Sequence, residues 1–281
     1  MNISKPLKIA LLFFLLLYPV SGFADCISCH INEATQQTHT KTDCIACHKG
    51  NRSKVKKIAH SGLISQPGTI QNFTKTCSSA GCHAGQVYQV QHSLMTQMTG
   101  LIQVTKKAFG ETDKAPKLKD LKTTGAEGYL RKKCISCHLG QDLKNETDPV
   151  QKRGGGCLAC HKGKSSKGMH VSIDKKITSQ RCFGCHARSG RISLTYSGIM
   201  EVSPEQVTPE TRNLTDGRPI RLLPPDVHFT AGLQCIDCHT ARGVMGDGGK
   251  AKAKGEQMEA QCADCHGENQ KEPFRGKYGS F

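Results

Sequence analysis

Hydrophobic and polar positions follow few regular periods in this chain. The first strong pattern is an apolar run from Ile9 to Val20, preceded by Lys5 and Lys8 and broken by Pro19, Ser21 and Gly22. A basic start, a short apolar stretch and a small residue, Ala24, are the features of an export signal cleaved after residue 24. The run is short for a membrane span. Its alternative reading, an uncleaved anchor, would hold Cys26 against the bilayer surface. The next pattern lies between Gln86 and Ala108, where Val87, Val90, Leu94, Met98, Leu101 and Ile102 recur at helical spacing and predict one helix. Glu201 to Asp226, rich in Pro, Thr and Glu, predicts a long loop, and Gly246 to Gly255, rich in Gly and Lys, reads as a mobile segment.

A different regularity dominates the rest. All 16 cysteines fall in pairs, and a histidine follows the second cysteine of each pair. The sets are Cys26, Cys29, His30; Cys44, Cys47, His48; Cys77, Cys82, His83; Cys134, Cys137, His138; Cys157, Cys160, His161; Cys182, Cys185, His186; Cys235, Cys238, His239; and Cys262, Cys265, His266. C-x-x-C-H is the attachment site of c-type haem. Each cysteine forms a thioether to a porphyrin vinyl group, and the histidine reaches the iron as proximal ligand. Zinc sites and disulfides are the alternatives, but neither requires a histidine after every second cysteine. In the third motif Ser78, Ser79, Ala80 and Gly81 separate the cysteines. That C-x4-C-H spacing resembles a variant of the c3-type multihaem cytochromes.

Composition then fixes the fold class. Cleavage after residue 24 leaves 257 residues, roughly one haem per 32. With no Trp and 5% aromatic residues, the chain cannot build an ordinary core. Porphyrins must supply the missing apolar surface, as bound metals do where binding is coupled to folding. The expected architecture is mostly irregular and α, a haem-packed multihaem cytochrome c with short helices and loops wrapped around eight haems and little or no sheet. A formal charge of +16 would ordinarily suggest an acidic partner or nucleic acid. Haem propionates offset much of it. Arg52 to Lys57 and the lysines between Lys106 and Lys122 therefore read as solvated or propionate-pairing groups, with docking of acidic redox partners as the alternative. No nucleic-acid role is expected, and the membrane is met only by docking to a partner.

The motifs fall in three clusters. The organisation expected is a signal peptide, 1–24; a trihaem unit plus helical spacer, 25–133; a second trihaem unit plus loop, 134–234; and a dihaem unit, 235–281. Cys26-Ile27-Ser28-Cys29-His30 matches Cys134-Ile135-Ser136-Cys137-His138. Cys44-Ile45-Ala46-Cys47-His48-Lys49-Gly50 matches Cys157-Leu158-Ala159-Cys160-His161-Lys162-Gly163. Duplication of a trihaem unit accounts for this, with His60 and His170 in corresponding places.

Thirteen histidines less eight proximal ones leave His39, His60, His92, His170 and His228 as candidate distal ligands. At least three haems thus lack a distal histidine, and self-assembly leaves that ratio unchanged. Met245, six residues after His239, is a further candidate, and Met95 and Met98 flank the His92 region. Methionine more often fills apolar gaps.

The segments Cys182-Phe183-Gly184-Cys185-His186-Ala187-Arg188-Ser189-Gly190-Arg191 and Asp226 to His239, with Arg242 and Met245-Gly246-Asp247-Gly248, resemble octahaem members of the multihaem c-type cytochromes of metal- and sulfur-respiring bacteria. The resemblance implies eight covalent haems c passing electrons along a line of irons. It implies a periplasmic protein, outer-membrane-associated or extracellular in some settings, serving anaerobic or metal-linked respiration. Its partners would be redox proteins, quinol-oxidising or other cytochromes, and an outer-membrane porin that the chain threads toward extracellular acceptors. Two alternatives stand beside the carrier: a terminal reductase of the tetrathionate, nitrite or hydroxylamine class with one open haem, and a subunit of an extracellular cytochrome filament. No C-x-x-C-K motif and no widely split cysteine pair is present, and little chain remains for a closed substrate pocket. Transfer is therefore expected over catalysis.

Overall fold

The computed structural model describes residues 26–30, 39, 42–111, 120–123, 125–135, 138–139, 155–163, 170, 172–187, 192–214, 217–251, 254–267, 275–276 and 279–280. The expected export signal lies outside them. No helix among them is long and apolar enough to cross a membrane.

Short helices joined by turns make up most of the described chain. The motif turns come first: α1 is Cys44–His48, and α2, Lys56–Ala59, follows in the same cluster. The first spacer holds α3, Ala84–His92; α4, Leu94–Gln97; and α5, Thr99–Ala108. Next are α6, Gly125–Lys133; α7, Leu158–His161; α8, Ser179–His186; and α9, Ile192–Tyr196. The C-terminal part holds α10, Val227–Thr230; α11, Cys235–Cys238; α12, Ala241–Met245; α13, Lys254–Gln257; and α14, Cys262–His266.

The helix predicted over residues 86–108 is three helices. Ser93 takes an extended conformation after α3, and its hydroxyl accepts from the Thr96 N–H at 3.1 Å while donating to the Val90 carbonyl at 2.9 Å. A buried serine offering the backbone these bonds ends one helix and caps the next. Met98, left-handed at φ 55°, separates α4 from α5.

Sheet is confined to small pieces. β1, Ile199–Glu201, and β2, Arg212–Asn213, both pair antiparallel with β3, Pro219–Leu222. β2, β3 and the last residue of β1 lie in the segment predicted as a loop. Ile220 and Val202 are buried beneath this ribbon, and Gly217, at φ 84°, turns β2 back into β3. A two-residue pair, β4 at Arg275–Gly276 and β5 at Gly279–Ser280, ends the chain.

Two small cores hold the helices. One is Phe73, Val87 and Val90, with Ile70, Cys77, Cys157 and Met245 against it; the other is Met98, Ile102 and Leu130, with Leu121 and Cys134. Lys106 is not solvated as expected. It is buried between α5 and α6, bonding Glu127 at 2.8 Å and Glu111 at 3.0 Å. Both carboxyls are held below the usual range, Glu111 first by the Ala126 N–H and then by Lys106, Glu127 first by Lys106 and then by the Lys122 N–H. Of the segment expected to be mobile, residues 246–251 are packed, and 252–253 lie outside the described residues. The Asp247 carboxylate accepts from the N–H groups of Gly249, Lys250 and Ala251, and Gly246 and Gly248 press on Ser93 and Tyr88.

Candidate functional site

Among the described residues, the motifs of His30, His48, His161, His186, His239 and His266 are each built on a helical turn, which sets cysteines three apart on one face and turns the histidine inward. Local capping fixes these turns. Asp43 accepts from the Ile45 N–H before α1. In α11 and α14 the same sequence, Gln-Cys-x-Asp-Cys-His, closes a reciprocal cap: Asp237 accepts from the Gln234 N–H at 2.7 Å and Asp264 from the Gln261 N–H at 2.8 Å. The wider third motif absorbs its extra residues in a left-handed pair, Ala80 at φ 53° and Gly81 at φ 74°, and the His83 N–H still returns to the Cys77 carbonyl at 3.0 Å.

The histidines come together in pairs. His30 faces His60 with ring centres 6.0 Å apart, His39 faces His83 at 6.1 Å, His48 faces His170 at 5.8 Å, and His228 faces His266 at 5.9 Å. Each pair joins one proximal histidine to one candidate distal histidine. A metal held between two imidazoles, each bound at about 2 Å, separates ring centres by about 6 Å. Hydrogen bonding directs the rings. Nδ1 of His48 donates to the Ile64 carbonyl at 2.8 Å, Nδ1 of His60 to Lys56 at 2.9 Å, and Nδ1 of His228 to the Asp226 carboxylate at 2.9 Å. With Nδ1 donating, Nε2 presents its lone pair to a metal. His39 Nδ1 is buried with no hydrogen-bond partner, and burial, with His83 and Lys175 nearby, pushes the ring's pKa down.

The surroundings suit a flat apolar group. Val55 and Ile58 stand exposed beside His60, and Val227 (73% exposed) and Phe229 beside His228. Apolar side chains left open next to paired imidazoles form a surface for a macrocycle to cover. Among the described residues no disulfide joins the cysteines, and no three or more His, Cys, Asp or Glu side chains converge as a closed zinc site requires. The donor set therefore fits haem c.

Other candidates fall elsewhere. His92 ends α3, stacks on Tyr88 at 4.3 Å and donates from Nδ1 to the Tyr88 carbonyl. Met245 packs on the Phe73 cluster and Met98 lies in the Leu130 cluster, both as apolar filler, while Met95 is half-buried in α4. Of the remaining proximal histidines, His161 donates from Nδ1 to the Asp174 carbonyl at 2.8 Å, and burial pushes His138 down to about 4, which keeps it neutral. His186 and His239 end the sixth and seventh motif turns. Cys137 lies outside the described residues. The ring-orienting acceptors, Ile64, Asp174 and Asp226, carried no sequence signal except Asp226, whose place two before His228 is that of a helix cap.

Two family models match the chain: the doubled CXXCH motif over residues 148–191, and cytochrome c554 and c-prime over residues 210–267. The first covers the motifs of His161 and His186, with His170 between them; the second covers those of His239 and His266, with His228. No curated protein and no solved structure matches. The two matches indicate a multihaem c-type cytochrome, with covalently bound haem c and electron transfer as its general work.

Proposed function

We propose that this chain is an octahaem electron carrier in which four haems take histidine on both faces: His30 with His60, His48 with His170, His83 with His39, and His266 with His228. The four ring separations of 5.8–6.1 Å carry the reading. Haem c, once attached, supplies a reversible one-electron centre. The chain's own residues do the rest. Cysteine pairs would hold the porphyrin edge and the opposed imidazoles its iron, a donor set that favours low potential. Ile64, Lys56 and Asp226 fix the ring tautomers. An iron closed on both faces has no position for a substrate, which favours transfer over catalysis. The apolar run at the start supports export, and the proposed setting is the periplasm or outer membrane in anaerobic or metal-linked respiration. Donors and acceptors are redox proteins, quinol-oxidising or other cytochromes, with an outer-membrane porin as a further partner.

Weighing the exported holoprotein tests this: eight haems added to the mature chain are expected, and a mass without them refutes the reading. Reduced protein should be reoxidised by ferric chelates stoichiometrically and without saturation.

A second reading, a terminal reductase, draws on the histidine inventory. The four pairs use four of the five spare histidines, leaving His92 for the motifs of His138, His161, His186 and His239. An iron among these with a labile sixth ligand would bind nitrite, hydroxylamine or tetrathionate. Saturable turnover of one of them by reduced protein selects this reading.

A further inference from the structure

Motif segments touch one another in a definite succession. His60, which faces His30 of the first motif, belongs to the hairpin closed on the second, where the Ile64 N–H meets the His48 carbonyl at 2.7 Å. From the second motif Lys49 reaches into the third, bonding Ser79 between Cys77 and Cys82 at 3.2 Å. The third then meets the fifth. Cys77 and Cys157 pack on the same Phe73 cluster, and the Cys157 N–H donates to the Gly68 carbonyl at 3.0 Å. Gly156, left-handed at φ 54°, makes this approach possible, because a Cβ there would drive into the Gly68 carbonyl.

The succession continues from the fifth motif. Arg181, beside Cys182, donates to the carbonyls of Leu158 and Lys162 on either side of Cys160 and His161. The Ser179 hydroxyl accepts from the Cys235 N–H at 3.1 Å and lies 3.3 Å from its sulfur, joining the sixth motif to the seventh. Past the seventh, Thr240 and Arg242 both bond Glu259, three residues before Cys262. His228, just before the seventh motif, faces His266 of the eighth.

We infer that motifs 1, 2, 3, 5, 6, 7 and 8 follow one another in space in that order, and that charge crosses between the two trihaem clusters where Cys77 meets Cys157. The inference rests on the covalent-haem reading above. Thioethers tie each porphyrin's vinyl edge to its cysteines, so cysteines in contact bring two such edges together. One electron moves per hop: a ferrous iron becomes ferric as the next ferric iron becomes ferrous. A reduced redox protein supplies the electron at one end of the line and an oxidised one removes it at the other. The fourth motif is given no place in the line.

Exciton coupling in the Soret circular dichroism of the full holoprotein tests the order. C157A/C160A removes an internal member and should lose the coupling of two junctions; C262A/C265A removes an end member and should lose one. Equal losses, or a larger loss from the eighth motif, overturn the order. Mass comes first, since a protein with no haem overturns the parent reading and leaves nothing to couple. Should either variant fail to fold, an electron-microscopy map of the unaltered holoprotein decides: the Cys77 and Cys157 sulfurs in contact support the inference, and separated third and fifth motifs refute it.

Discussion

In the first cluster of motifs Lys49 bridges Leu63 and the His48 ring donates to Ile64; in the second Lys162 bridges Ile173 and the His161 ring donates to Asp174. Each hairpin carries a histidine three residues before its bridge partner, His60 in one and His170 in the other. The two histidines then part company. His60 turns to His30 of its own cluster, whereas His170 crosses to His48 of the other. All three proximal histidines of the first cluster, His30, His48 and His83, face a second imidazole. His170, the second cluster's spare histidine, is spent on the first. Local sequence builds the same hairpin twice, while the contact between clusters decides which imidazole each histidine faces.

The comparison is broken most severely at the junction. Gly156→Ala forces a side chain into a left-handed position against the Gly68 carbonyl, and it should cost about 3 kcal/mol of holoprotein stability, read as a lower denaturant midpoint. His170→Ala comes next. It should strip one bis-histidine signal from the first cluster and loosen its tie to the second, seen in electron paramagnetic resonance and in faster proteolysis between clusters. His60→Ala should remove one such signal and leave the clusters joined.

Acid sharpens the contrast near Cys134. Glu127, depressed mainly by the Lys106 N–H, contributes stability that is full above the unfolded glutamate value of about 4.3 and lost as pH falls through the lower folded value. Glu127→Gln should flatten that part of the acid unfolding curve. Smallest of all is Met245→Leu. As a core filler it should cost less than about 1.5 kcal/mol and leave the haem spectrum unchanged; a spectral change would make Met245 an iron ligand.

The attachment sites were readable because they are local: each needs five adjacent residues, or seven in the third motif, and nothing distant alters them. His39, His60, His170 and His228 could be named from the histidine count alone. Their partners could not, since His170 lies more than a hundred residues from His48 and meets it only once the clusters pack. Helical periodicity over residues 86–108 concealed the breaks, although Ser93 with Thr96 three residues on is a capping signal inside the pattern. The ribbon of β1, β2 and β3 was hidden by its Pro- and Thr-rich composition, with Asp216-Gly217 as the turn signal between its strands.

Electron paramagnetic resonance of the fully oxidised holoprotein bears most directly on the four paired sites. Their ring planes cross at 77–87°. Crossed imidazoles leave two iron d orbitals nearly equal in energy and make the low-spin signal strongly anisotropic. The account predicts such signals from the four paired haems, one disappearing in each of His39→Ala, His60→Ala, His170→Ala and His228→Ala. Spectra that these substitutions leave unchanged would contradict it.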